Sequence, residues 1–338
     1  MDFTIFDDPN RWLPLTFAAL MGLSILIYVV LDGFDLGVGV LFPFAKPTDR
    51  DIMIGSIGPF WDANETWLVL AVGILLVAFP AAHGMILSAL YLPVAVMLIG
   101  LILRGVAFEF RAKAPESQRK RWDVGFAVGS LATTLAQGFM LGVYAVGLRF
   151  DLASIAFGLL AAICLTAAYA FIGAAWLILK TEGPLQRQAV GWAKRGLVGL
   201  LAGFGAISIA TPLASPRIFE KWFVWPEIAL LAPAPIIAAA LALMIWRWLQ
   251  RLPAANDAKS ARPFVGAVGL FVVAFAGLAY SFYPYVAPGR LTIYEAASAP
   301  ESLLIILFGV AFVLPAILGY TALAYWVFRG KATKLSYD

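Results

Sequence analysis

Six ionisable side chains sit in stretches that are otherwise apolar: Asp32 and Asp35 in LDGFDLGVG, Asp62 and Glu65 in WDANETWL, and Arg104 and Glu109 in LRGVAFEFR. Carboxyl groups in apolar surroundings can bind and release protons, and a nearby cation opposes the cost of burying their negative charge, keeping exchange feasible near neutral pH. Asp32 with Asp35, and Asp62 with Glu65, are three residues apart, which puts each pair on one face of a helix. Arg104 and Glu109 are five apart, about 140° around an ideal helix, so Arg104 is expected to reach an acid on another helix.

Other chemistries are excluded by scarcity. Cys164 is the only cysteine and His83 the only histidine. No intrachain disulfide, thiolate zinc site, iron–sulfur cluster or bis-histidine haem can be built from this sequence. His83 is expected to be a solvated histidine in the short turn between the second and third spans described below, and Cys164 a small packing residue in mid-span.

The elements that must position the six residues are membrane spans. Apolar residues make up 62% of the 338 and charged residues 13%, against the roughly 25% charged residues of a soluble domain. They are bunched into long runs separated by short basic loops, as a hydrocarbon slab demands. The runs predict nine transmembrane helices near residues 12–34, 59–79, 85–110, 123–147, 153–179, 190–213, 224–248, 263–286 and 302–328. The first run stays apolar through Leu36, Val38, Leu41 and Phe44 until Lys46, so its helix either continues past the membrane surface or is buried there by a partner. Residues 1–338 read as a single all-α transmembrane domain, with no low-complexity linker and no internal repeat. Met1 to Pro9 carries Asp2, Asp7 and Asp8 where a signal peptide would be basic, so the first span is expected to remain in the mature protein.

The charged loops orient the chain. Those after spans 1, 3, 5 and 7, with the C-terminal tail, hold eighteen basic residues: Lys46 and Arg50; Arg111, Lys113, Arg119, Lys120 and Arg121; Lys180, Arg187, Lys194 and Arg195; Arg247, Arg251, Lys259 and Arg262; Arg329, Lys331 and Lys334. The other face holds five: Arg11, Arg149, Arg217, Lys221 and Arg290. The positive-inside rule then places the N-terminus outside and the C-terminus in the cytoplasm, and it explains the basic loops without nucleic acid as a partner. Arg104 alone is left inside a span, about seven residues before Arg111 and so roughly 10 Å deep. Span 1 ends, span 2 begins and span 3 ends on the cytoplasmic side, so all six ionisable residues converge there. A buried charge is costly and calls for a carboxylate partner, and clustered intramembrane carboxylates commonly mark ion or proton pathways.

Structural readings stand beside the functional one. Asp62, Glu65 and Asn64 suit the first turns of a helix, where acids and amides satisfy free N–H groups. Asp32 and Asp35 can mark the water boundary of span 1, with Gly33 and Gly37 as a packing surface of small residues. Arg104 and Glu109 can form a buried structural pair. A secondary transporter also places acids and an arginine in its bundle, but usually shows repeat symmetry and interrupted helices, and neither is evident.

The segments LDGFDLGVGVLFPF, GPFWDANETWLVL and LILRGVAFEFRAK, with YPYVAPGRLTIYEAASAPES and TALAYWVFRGK near the C-terminus, resemble the motifs of subunit II of the cytochrome bd-type quinol oxidases. The resemblance runs from about Val30 to Lys331. Asn64-Glu65-Thr66-Trp67 is closest in form to the cyanide-insensitive branch, and Ala63 stands where the family motif has glycine. The resemblance implies two four-helix bundles plus one peripheral helix, packed lengthwise against a homologous subunit I in the bacterial inner membrane. Subunit I would carry the haem b and haem d groups, oxidise quinol and reduce dioxygen to water in aerobic respiration. This chain would hold no haem, stabilise the assembly and contribute a proton path from the cytoplasm. Matched by motif, Asp32, Asp35, Asp62, Arg104 and Glu109 correspond to the polar residues of that path, Glu65 belongs to the variant motif, and Trp61 and Trp67 flank the second segment. A bound quinone or lipid and a small single-span accessory subunit are further partners that the resemblance leaves open, as is a purely structural role in assembly.

Overall fold

Nine helices in the computed structural model are long and apolar enough to cross a bilayer, among the described residues 8–254, 257 and 259–333. Asp2 and Asp7 near the N-terminus and Lys334 in the tail, used above to read the ends of the chain, lie outside the described residues.

The first helix, α1 (Pro9–Leu41), starts at Asp8, whose side chain accepts a hydrogen bond from the Asn10 amide. It runs well past residue 34 as one uninterrupted element, and Leu36 and Val38 are fully buried within this chain. Close approach explains the continuation. A methyl group on Gly37 would collide with the Tyr169 carbonyl and crowd the Gly173 amide, while one on Gly39 would collide with Ser130. Small residues at helix crossings let backbones meet closely where no hydrophobic drive separates helix from lipid.

A short helix, α2 (Pro47–Ile57), occupies the first basic loop, and α3 (Trp61–Ala78) is the second span. The chain then breaks at Phe79, because Pro80 has no N–H and disfavours helical backbone in the residue before it. α4 (Pro80–Ala89) therefore stands apart from α5 (Tyr91–Lys113). The third span begins near residue 91, not 85, and His83 lies half-buried inside a helix, not in a short turn. α6 (Glu116–Ala145), α7 (Leu152–Lys180) and α8 (Gly183–Ala214) follow as long hairpin partners. Next come two short helices, α9 (Pro216–Phe223) and α10 (Glu227–Leu231), then α11 (Pro233–Leu249) and α12 (Arg262–Phe282). A small antiparallel hairpin, β1 (Tyr285–Ala287) and β2 (Leu291–Thr292), leads to α13 (Pro300–Val327). α13 is the least enclosed span, with Leu303 as its buried residue.

The loops sort to two ends. At the basic end, Arg111 of α5 lies 2.8 Å from Asp51 of α2 and 2.5 Å from Asp123 of α6, and Arg50 lies 2.8 Å from Asp123. Lys180, closing α7, donates to the carbonyls of Phe328 (2.5 Å) and Gly330 (2.7 Å) in the C-terminal tail. At the opposite end, the Tyr144 hydroxyl donates to the Val286 carbonyl (2.7 Å) and the Ser298 amide to the Ala78 carbonyl (2.9 Å). The core between them is aromatic on one side of α1. Phe34 stacks on Trp176 at 4.1 Å and Phe60 on Tyr325 at 4.5 Å, arrangements that add to plain area burial.

Candidate functional site

Asp32 and Asp35 leave α1 in its buried stretch, and both residues are 0% exposed. Between them Gly33 faces the Tyr169 ring of α7, where a side chain would crowd the ring. Arg104 reaches the same region from α5. Its helix is brought close to α6 at Gly129, where an added methyl would strike the Gly100 carbonyl and the Arg104 amide. The guanidinium Nη1 stands 2.8 Å from Asp32 Oδ1, and Nη2 donates to Glu65 Oε1 of α3 at 2.5 Å. The same guanidinium lies 5.9 Å from the Trp61 ring. Three helices thus contribute one charge each to a cluster in which Asp32 and Arg104 are buried and Glu65 is partly exposed, and Arg104 finds its acids on other helices, as the 140° offset from Glu109 requires.

Asp35, one turn on from Asp32, is bonded to the side-chain amide of Asn64, the residue before Glu65 on α3. Asn64 Nδ2 donates to Asp35 Oδ2 at 2.7 Å and to the Leu31 carbonyl at 3.3 Å, and Asn64 Oδ1 accepts from the Tyr325 hydroxyl at 3.1 Å. Asp35 Oδ1 meets no hydrogen-bond donor among the described residues. A second polar string starts at Tyr28, one turn before Asp32 on the same face of α1. The Tyr28 hydroxyl accepts from Gln137 Nε2 at 2.6 Å, and Gln137 Oε1 accepts from the Tyr169 hydroxyl at 2.9 Å.

The structure therefore brings together Asp32, Asp35, Glu65 and Arg104, and leaves two of the six outside. Asp62 is exposed in the first turn of α3, and Glu109 is half-exposed on α5, 3.9 Å from Lys113 one turn on. Asn64 is not a helix cap. It is 1% exposed and serves the Asp35 network, while Phe60 precedes the helix without a side-chain capping bond. Asn64, Tyr28, Gln137, Tyr169 and Tyr325 are the members that sequence reasoning missed. Gln137 carried a usable signal, an amide with Thr133 and Thr134 in mid-span. The tyrosines carried none, since their rings suit the core whether or not their hydroxyls are used.

Among the described residues no cluster of three His, Cys, Asp or Glu side chains is arranged to hold a metal ion. Cys164 is half-buried against Gly203 of α8, a packing contact. The site's chemistry is that of carboxyl groups, one guanidinium and the amides and hydroxyls that link them. Full ionisation of Asp32, Asp35 and Glu65 would leave two negative charges beyond the one that Arg104 cancels.

Comparison with known proteins places this geometry. The family profile described as cytochrome bd terminal oxidase subunit II matches residues 13–328. Cytochrome bd-I ubiquinol oxidase subunit 2 of Escherichia coli (strain K12) is 30% identical, over 93% of this chain and 94% of its own length. Cytochrome bd ubiquinol oxidase subunit 2 of Bacillus subtilis (strain 168) is 26% identical, over 90% and 93%. Among solved structures, a chain of the bd oxidase from Geobacillus thermodenitrificans matches the fold with a TM-score of 0.69 at 20% identity, covering 94% of this chain and 99% of that one. The nine-span fold and a profile match over nearly the whole length lead to one conclusion: this chain is a multi-pass membrane protein of the cytochrome bd terminal oxidase subunit II family, part of an oxidoreductase complex.

Proposed function

We propose that this chain is the haem-free subunit II of a bd-type quinol oxidase of the cyanide-insensitive branch, and that it passes protons from the cytoplasm toward a haem-bearing subunit I. Its spans would form two four-helix bundles with α13 peripheral, in the inner membrane with the N-terminus outside. The haems are assigned to subunit I, where they would take electrons from quinol and reduce dioxygen. In this chain His83 is the one histidine, half-buried on α4, and offers no second axial ligand of its kind.

The observation that carries the proton role is the meeting of Asp32, Glu65 and Arg104 from three helices, with Asp35 held beside them by Asn64. Asp62 and Glu109 are the outer members, near the basic end, where protons would arrive from water. Glu65 is the step inward, one turn from Asp62 and in contact with Arg104. Arg104 holds two carboxylates in the interior and balances part of their charge, so that a proton moved between acids does not strand a bare charge in hydrocarbon. The unsatisfied oxygen of Asp35 offers an acceptor beyond the arginine.

Isolation of a tagged chain from native membranes tests the assignment. It should bring down a larger haem-bearing polypeptide and quinol-dependent oxygen consumption. A preparation with no haem partner and no such activity would overturn the oxidase role. A purely structural subunit would show the same partner but unaltered proton uptake when the acids are removed, which the last experiment below separates.

A further inference from the structure

Three of the five basic residues on the sparsely charged end, Arg149, Arg217 and Arg290, line one cavity of about 300 Å³ together with Gly147, Ser215 and Gly289. The positive-inside rule keeps this end poor in basic residues, so their convergence at one place is not topogenic. The chain builds the walls with care. After α6 it turns through Gly147 at φ +85°, a conformation that costs glycine little, and Leu148 at φ 58°. Arg290, beyond the hairpin turn, fixes that corner by donating Nε to the Gly147 carbonyl (3.1 Å) and Nη2 to the Leu148 carbonyl (3.3 Å).

Arg217 enters from α9. Its Nη1 donates to the Ser281 carbonyl at 3.1 Å and its guanidinium lies 5.1 Å from the Tyr285 ring, but its Nη2 is buried and finds no acceptor among the described residues. Burial lowers the Arg217 pKa, and the groups opposing it are two tyrosines, Tyr285 and Tyr144, with no carboxylate among them. Arg149, at the exposed rim, pairs with Asp151 at 3.1 Å. Three guanidinium groups against one carboxylate leave the cavity with two uncompensated positive charges and a buried donor aimed at nothing. That is a site for an anion with several acceptor oxygens, and guanidinium is the side chain that matches phosphate geometry.

The surroundings select the source of the phosphate. Exposed apolar residues border the cavity in sequence on both sides: Phe150 and Leu152 after Arg149, Leu213 before Ser215, and Phe219 after Arg217. α9 itself is amphipathic, with Ile218 buried and Phe219 and Phe223 exposed, and Trp225 follows it, also exposed. Exposed aromatic residues and a short amphipathic helix mark the headgroup level of a bilayer. We propose that this cavity binds the phosphate of an anionic phospholipid headgroup, with Arg217 and Arg290 in the wall and Arg149 at the mouth, while the acyl chains lie on the neighbouring apolar surface.

The test is native mass spectrometry of the purified, delipidated oxidase complex, titrated with palmitoyl-oleoyl phosphatidylglycerol, with phosphatidylcholine of the same chains, and with inorganic phosphate. Phosphatidylglycerol should be retained about tenfold more tightly than phosphatidylcholine, and Arg217→Gln should weaken its tightest binding step by about tenfold, the scale of one charge-assisted contact. Arg149→Gln changes an exposed rim position and leaves the Arg290 bonds intact, so it reads the site without disturbing the fold; a loss of about threefold is expected. Arg187→Gln, at the basic end, should leave that step unchanged. Equal retention of the two lipids, or unchanged phosphatidylglycerol binding in both Arg217→Gln and Arg149→Gln, would overturn the site. Displacement of the lipid by an equal concentration of inorganic phosphate would overturn its assignment to a headgroup.

Discussion

Arg104 Nη1 of α5 and Asp32 Oδ1 of α1 lie 2.8 Å apart, and their side chains are 2% and 0% exposed. An ion pair so enclosed is held less by its own attraction than by the cost of leaving either member alone, which is about 3–5 kcal/mol for a buried pair. Arg104→Leu is therefore expected to cut the yield of assembled complex sharply. Asp32→Asn, which keeps shape and a polar contact, should assemble far better. A double variant, Arg104→Leu with Asp32→Leu, should recover part of the yield lost by Arg104→Leu alone, and quantitative immunoblotting of membranes reads all three. No recovery would mean that the pair is not energetically coupled.

Gly37 gives a packing prediction that is independent of charge. A methyl group there meets the Tyr169 carbonyl, which is backbone and cannot swing aside, whereas Gly73 on α3 has nothing within 4 Å of an added methyl. Gly37→Ala should force α1 away from α7 and lower the melting temperature of the complex, by an amount corresponding to about 1–3 kcal/mol or more. Gly73→Ala should leave it unchanged or raise it slightly, since alanine is the better helix former. Thermal melting of the two variants side by side is the check.

The C-terminal tail supplies the pH dependence. Asp257 pairs with Lys331 and accepts hydrogen bonds from Gln186 (2.5 Å) and Ser260 (2.9 Å). Burial raises the Asp257 pKa, but the bonds from Lys331, Gln186 and Ser260 outweigh it and hold the carboxyl below its ordinary value. A carboxyl depressed in the folded state adds stability above the unfolded value, about 3.9, and that stability is lost as pH falls through the lower folded value. The pair is partly solvated, so the contribution is at most about 1 kcal/mol. Asp257→Asn should melt slightly earlier than the parent from neutral pH down to about pH 5, with the gap closing below about pH 4. A gap that widened in acid would contradict the sign.

Orientation is checked by fusions. A periplasm-active reporter placed at Ala114, between α5 and α6, should stay silent, and one placed after Gly147, between α6 and α7, should be active. The reverse pattern would put the carboxylate cluster toward the wrong compartment.

The span count and the pairing of Arg104 with an acid on another helix were legible in the sequence, because a charge placed in hydrocarbon must find a partner; that the partners are Asp32 and Glu65 came from the structure. What was lost has equally physical causes. Asp62 and Glu65 share a face only loosely: about 60° of rotation separates residues three apart, enough to aim one at Arg104 and the other at the surface. Asn64 was read as a helix-start residue because an amide in a first turn serves a cap or a buried network with the same sequence. The break at Phe79–Pro80 hid because both flanks are apolar, so hydropathy alone runs α4 into α5. The run past residue 34 was read as a helix passing the membrane surface or buried there by a partner; it is buried in this chain's own core instead, because glycines at 37 and 39 let α7 and α6 approach closely.

The most direct measurement is single-turnover proton uptake by the fully haem-loaded oxidase in vesicles, recorded beside electron transfer to oxygen. Glu65→Gln and Asp35→Asn keep side-chain shape and hydrogen bonding while removing an exchangeable proton. Each is expected to slow uptake more than tenfold with little loss of assembled complex. Asp62→Asn and Glu109→Gln, at the more exposed positions, should slow it less, and Glu109→Asp least of all. Parental rates of proton uptake in assembled Glu65→Gln and Asp35→Asn enzymes would contradict the relay and leave these carboxylates a structural role alone.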